Sequence, residues 1–205
     1  MKDELKIWLA RTRTALVLID MQVDFAKPEG AMGKNGADMS EPQAAVRQAE
    51  RLADAARNAA VPCVFVRLVT RPGDESPFIA EWKRRRDDDD VPLCLEGSEG
   101  AEFTGPMPRG GELVFSKRRY NAFQDTGLDI ALRGEDIDTL VMAGLTTDCC
   151  IDSSVRAAFE RDYHVYVVGD ATACYQPGLH QATLEALALN CATILSVDDV
   201  ISAWK

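Results

Sequence analysis

Cys150 follows Asp148 and Cys149 at the expected start of a helix, where a thiol meets the positive end of the helix dipole and the unpaired N–H groups of the first turn. Both effects lower a thiol pKa and favour a nucleophile. Two further polar residues, Asp20 and Lys117, directly follow apolar, β-prone runs, TALVLI from Thr14 and ELVFS from Glu112. A carboxylate that takes the thiol proton and an ammonium that holds the resulting charge would complete a nucleophile, base and cation group. Histidine is the usual partner of a catalytic Cys, but the chain has 2. His164 opens a strand, away from its carboxyl end, and His180 lies in the first turn of a helix. That leaves His180 open and makes Asp20 the stronger base.

Each of these residues has a plainer reading. An Asp after a buried strand is more often a turn residue than a base. A buried Cys is more often a small inert hydrophobe, which is the reading of Cys63, Cys94, Cys174 and Cys191. Cys149 joins them, because adjacent helical side chains point about 100° apart and cannot meet one substrate atom. Lys117, flanked by Arg118 and Arg119, reads by composition as surface charge.

The elements that must position these residues follow from periodicity. Apolar runs over Thr14–Ile19, Pro62–Leu68, Glu112–Ser116, Thr139–Ala143, His164–Val168 and Thr193–Ser196 predict six short strands. Helices are expected from Glu41 to Ala60 with Ser40 as cap, around Gly127–Arg133, from Cys150 to Arg161, from Leu179 to Leu189 and from Asp198 onward. Thr70 to Gly111 has no strong period and is expected to be a long surface excursion of the kind that covers sites. The alternation predicts an α/β fold: a three-layer α/β/α, Rossmann-like domain over residues 1–205 with a six-stranded, mostly parallel sheet. In such sheets ligands bind beyond the carboxyl ends of the strands, which is where Asp20, Lys117 and Cys150 fall.

Composition narrows the partners. A net charge of −10 opposes binding to a phosphate backbone. The one basic run, Lys83–Arg86, is followed at once by Asp87–Asp90, so its field cancels within a Debye length of about 10 Å. No apolar run approaches the roughly 20 residues needed to span a bilayer. The apolar stretch Ile7–Ala10 is too short for a signal peptide core. The expectation is a cytoplasmic protein with thiols rather than disulfides, acting on a small molecule and not on nucleic acid or membrane.

The same residues resemble the isochorismatase-like cysteine hydrolase family. Leu18-Ile19-Asp20-Met21-Gln22-Val23-Asp24-Phe25 is similar to its first-strand motif, Lys117 with Arg119-Tyr120-Asn121-Ala122-Phe123 to its lysine motif, and Gly144-Leu145-Thr146-Thr147-Asp148-Cys149-Cys150-Ile151 to its nucleophile motif. Gly97–Ala101 and Gly169-Asp170-Ala171 look like further landmarks. The resemblance implies a parallel six-stranded sheet, Asp20 as catalytic acid/base, Lys117 as its partner and Cys150 as nucleophile. It implies a cis Leu145–Thr146 bond and an oxyanion hole formed by the N–H groups of Thr146 and Cys150. It also implies a homodimer or homotetramer.

The retained Cys150 favours a C–N bond over the vinyl ether that family members hydrolyse with the Asp alone. Arg67 to Asp74 lacks the Asp-x-His of the metal-binding nicotinamidases, so neither a metal nor any other cofactor is expected. What remains resembles the amidases of N-carbamoylsarcosine, ureidoacrylate, biuret or maleamate. Phe25, Arg67, Tyr120, Phe123 and Tyr175 are the candidate substrate contacts, with Arg71 and Arg119 as further partners for a carboxylate. Rival readings are an isochorismatase or a nicotinamidase and, outside enzymes, a thiol redox protein or a non-catalytic scaffold that binds a protein partner.

Overall fold

Every residue of the first strand, β1 (Thr14–Ile19), is buried, as a run covered on both faces requires. The computed structural model describes residues 2–10, 12–85 and 93–205. Arg86 and the acidic run Asp87–Asp90 therefore lie outside the described residues. Beside β1 run β2 (Cys63–Leu68), β3 (Leu113–Lys117), β4 (Thr139–Leu145), β5 (His164–Ala173) and β6 (Thr193–Leu195), in the order β3-β2-β1-β4-β5-β6. All five pairings are parallel. The order reverses between β1 and β4, which makes the gap beyond their carboxyl ends the natural place for a ligand.

Helices cover both faces. On one side lie α1 (Lys2–Trp8), α4 (Ser40–Asn58) and α9 (Val197–Trp204), preceded by the short α2 (Val23–Ala26) and α3 (Ala31–Lys34). The other side carries α6 (Leu128–Gly134), α7 (Asp152–Phe159) and α8 (Pro177–Asn190). Helix α4 buries Ala45, Val46, Ala49, Leu52, Ala53 and Ala56, the residues whose spacing predicts it. Among the described residues no helix is long and apolar enough to cross a membrane.

The structure corrects several boundaries. Ser40 is the first residue of α4 and not its cap; its N–H is instead taken at 2.9 Å by the side chain of Asp38. The excursion from Thr70 to Gly111 contains α5 (Pro77–Arg84), capped by Ser76, and a 3₁₀ turn at Glu99–Ala101. Neither α1 nor α5 is expected from the sequence pattern. Strand β5 runs five residues past Val168, because a register shift between Met142 and Gly144 lets Thr172 and Ala173 resume pairing with β4. Gly144 is required at that point: its φ is 143°, and a Cβ there would stand 2.0 Å from the Ile19 carbonyl oxygen.

Candidate active site

Asp20 leaves β1 in the left-handed region, at φ 54°, a conformation that Asp tolerates better than most residues. Its N–H donates to the Val66 carbonyl at 2.8 Å, which pins it against β2. Lys117 is the last residue of β3, in register with Leu68, and its buried side chain reaches across β2 toward β1. Cys150 was expected to open a helix. It lies instead in a separate π-helical turn, Thr147–Ile151, inserted between β4 and α7.

The Lys117 ammonium joins the three. Its Nζ lies 2.7 Å from Asp20 Oδ2, donates to Cys150 Sγ at 3.2 Å and donates to the Arg119 carbonyl at 2.9 Å. Asp20, Lys117 and Cys150 are all buried. The Lys117 ammonium at 2.7 Å and the Cys150 thiol both favour the charged form of the Asp20 carboxyl.

Burial pushes the Asp20 carboxyl up, and the Lys117 charge and the Cys150 thiol pull against that rise. For Lys117, burial alone would lower the pKa, but the charges of Asp20 and then Cys150 hold it above the ordinary lysine range. The Cys150 thiol sits well above the ordinary range because of its hydrogen bond with Cys149, its burial and the Asp20 charge, with Lys117 only partly opposing. Cys149 is shifted down by the same bond. The depressed Cys150 pKa expected at a helix start is thus not found at rest. A thiol raised in this way needs a base to form the thiolate.

The remaining sequence-predicted residues divide. Thr146 is half-buried after a cis Leu145–Thr146 bond, and its carbonyl accepts the N–H groups of Cys149 and Ile151 at 3.2 and 3.1 Å. Tyr120 is largely exposed, and its phenol is raised first by partial burial and then by the charges of Cys149 and Cys150. Tyr175 is close enough to Cys94, Asp148 and Cys150 to feel their charges, and its hydroxyl donates to the Phe25 carbonyl at 3.0 Å. The Phe25 side chain itself is buried in the core.

Phe123 shares a core cluster with Cys150, and Arg67 has its contacts on the other face of the sheet. The Phe123 ring is buried 5.9 Å from that of Tyr163, with the Arg161 guanidinium 5.3 Å above it. Arg67 pairs in register with Ser116, so strand alternation sends it to the sheet face opposite Lys117. There it donates to Ser116 Oγ at 3.2 Å, lies 5.8 Å from the Phe103 ring and lines a cavity of about 540 Å³ with Arg71, Arg118 and Arg119. Asp20, Lys117 and Cys150 do not line that cavity.

Three supporting residues are not singled out by sequence pattern. Gln22, fully buried, donates to the Leu68 and Ala101 carbonyls at 2.9 and 2.8 Å and accepts the Leu68 N–H at 2.8 Å. Asp24 accepts the N–H groups of Ala31 and Cys94, and Ser154 accepts that of Ala122. The signal was present for the first two: polar residues two and four places beyond Asp20, too close to a buried strand to be solvated. Among the described residues no three His, Cys, Asp or Glu side chains gather as a metal site.

Comparison with known proteins fits this geometry. An isochorismatase domain model matches residues 14–199. A ureidoacrylate amidohydrolase from Methylobacterium radiotolerans is 32% identical over 186 residues, covering 83% of this chain and 71% of that one. A cysteine hydrolase structure from Pseudomonas syringae superposes with a TM-score of 0.83 at 23% identity, covering 96% of this chain and 94% of the other. The N-carbamoylsarcosine amidase of Thermoplasma acidophilum gives 0.73 at 27% identity, over 91% and 97% of the two chains.

Proposed function

The chain belongs to the isochorismatase family, and from that premise we propose that it is a cysteine amidohydrolase that cleaves the C–N bond of a small carbamoyl, ureido or acyl amide. The observation that carries the reading is the single ammonium of Lys117 held 2.7 Å from the Asp20 carboxylate and 3.2 Å from the Cys150 sulfur. The names of the ureidoacrylate and N-carbamoylsarcosine relatives support the substrate class.

In this mechanism Asp20 takes the proton of the neutral Cys150 thiol as sulfur attacks the substrate carbonyl. A base of raised pKa suits that step, since proton affinity is what the transfer requires. Lys117 compensates the negative charge as it passes between carboxylate and sulfur. The N–H groups of Thr146 and Cys150 serve as donors to the oxyanion, a role in which loss of one donor costs on the order of 100-fold or more in rate. Asp20 then gives its proton to the leaving nitrogen, and the C–N bond breaks to leave a thioester on Cys150. Water deprotonated by Asp20 attacks that thioester, releases the acid and restores the thiol. Tyr120 and Tyr175 are the substrate contacts this reading retains. A homodimer or homotetramer belongs to the same reading and is checked by light scattering.

The test is release of ammonia or acid from a panel of ureido acids, biuret, maleamate, nicotinamide and isochorismate. Turnover of one amide that is lost in Cys150→Ala and kept in Cys149→Ala is the expected result. Turnover of isochorismate that survives Cys150→Ala would overturn it, leaving Asp20 to act alone on a vinyl ether.

A further inference from the structure

The mechanism makes no use of His180. It lies in the first turn of α8, half-buried, and its Nδ1 is 2.8 Å from Thr147 Oγ1. Thr147 is fully buried and is the first residue of the π-helical turn that carries Cys150. The N–H groups of Cys149 and Ile151 both return to the Thr146 carbonyl, so those two bonds close the turn on itself. They do not fix where the turn sits relative to Asp20 and Lys117, which come from other strands. The Thr147–His180 bond does reach outside, to a helix 33 residues further along the chain. The ring's backbone is itself held, because the His180 N–H donates to the Gln176 carbonyl at 3.1 Å.

We propose that His180 is a positioning residue for the nucleophile: by bonding Thr147 it holds the π-helical turn so that Cys150 Sγ meets the Lys117 ammonium. The proposal rests on reading Cys150 as the nucleophile. Displacing a catalytic group by about 1 Å costs on the order of 100-fold in rate, so a partly buried tie at the head of a five-residue turn is enough to matter. His180 does not touch the reacting atoms; its effect passes through Thr147. The neighbouring Asp148 and Cys149 share the turn and would move with it.

The experiment combines variants with two readouts, the kinetics of the best amide and the pH profile of Cys150 alkylation by iodoacetamide, resolved from Cys149 by mass spectrometry. His180→Ala and Thr147→Val should each lower kcat by about 10-fold or more with KM within about twofold. Each should also move the Cys150 alkylation midpoint toward the ordinary thiol value of about 8.5, as the sulfur leaves its partners. The double variant should lose no more than either single one, because both remove the same bond. His180→Asn, which keeps a polar atom near the Nδ1 position, should restore most of the loss, and Thr147→Ser should resemble the wild type.

Unchanged kcat and alkylation profile in both single variants would overturn the proposal, as would losses that add in the double variant. If His180→Ala does not fold, the Thr147→Val and Thr147→Ser pair decides alone. If Cys150→Ala keeps full turnover, the nucleophile reading fails, while the alkylation profile still decides whether His180 positions the turn.

Discussion

Asp20 Oδ2 and Lys117 Nζ form a 2.7 Å ion pair in which neither side chain has any exposed surface. The two residues close strands that are not neighbours, β1 and β3, so the pair spans the end of β2. A buried pair of this kind is a poor device for stability, since desolvating both charges offsets most of their attraction. What it provides is a fixed cation between a buried carboxyl and the Cys150 thiol.

Removing one partner should therefore be worse than removing both. Asp20→Asn strands the Lys117 ammonium, and Lys117→Met strands the Asp20 carboxylate, each at a cost of about 3–5 kcal/mol. In the double variant no uncompensated charge remains, so its loss in denaturant unfolding should be well below the sum of the two. Additive losses would mean that the pair is not coupled. Asp20→Asn should also lower kcat by about 100- to 10,000-fold, the usual range for a lost general base.

The pH dependence follows from the direction of the Asp20 shift. Burial raises its carboxyl above the ordinary value despite Lys117, so it binds a proton at a pH where a free Asp is ionised. A protonated Asp20 cannot take the thiol proton. The acid limb of kcat/KM should then have its midpoint above about 3.9, with activity lost as pH falls through that raised value. A midpoint at or below 3.9 would show that Lys117 outweighs burial.

The thiols should separate under alkylation of the folded protein near pH 8. Cys63 is pushed up to about 12, by burial first and then by the charge of Glu112, and burial raises Cys94 likewise. Cys149 is half-buried and shifted down by Cys150. Mass spectrometry after brief iodoacetamide treatment should find label on Cys149 and none on Cys63 or Cys94. Equal labelling of all three would contradict the burial of the latter two.

These side chains also show what a sequence makes legible. Asp20 and Lys117 stood out because β1 and the edge strand β3 are apolar runs with an abrupt polar end, and that contrast is local. Cys150 was visible for the same reason, but its pKa was not. The place of the residue after β4 is written in the sequence, whereas the π-helical turn, burial, the bond to Cys149 and the Asp20 charge arise only on folding. The sheet face that Arg67 takes depends on its register with Ser116, which no local pattern states. Helix α5 escaped notice because it is short, buries none of its residues and sits among prolines and charges. His180 looked like a weak catalytic candidate, and its actual partner, Thr147, is set by the packing of α8 on the turn before α7.

Gln22 gives the last test. Its side chain is fully buried and makes three hydrogen bonds, to the Leu68 carbonyl, the Leu68 N–H and the Ala101 carbonyl. It thereby ties the residue after Met21 to the end of β2 and to the 3₁₀ turn, the two segments that flank Asp20. Gln22→Leu has similar volume but leaves those backbone groups unpaired in the interior, where each costs about 1–3 kcal/mol. Gln22→Glu keeps one acceptor for the Leu68 N–H but sets a carboxylate against two carbonyls, so it should be at least as harmful. Both variants should lose about 2–5 kcal/mol in denaturant unfolding. At denaturant-free conditions, where they remain folded, kcat should fall, because Asp20 is pinned to Val66 on the strand that Gln22 anchors. A Gln22→Leu variant with wild-type stability would mean that water or a shifted loop satisfies Leu68 and Ala101, and that the amide is not what holds the Asp20 end of the sheet together.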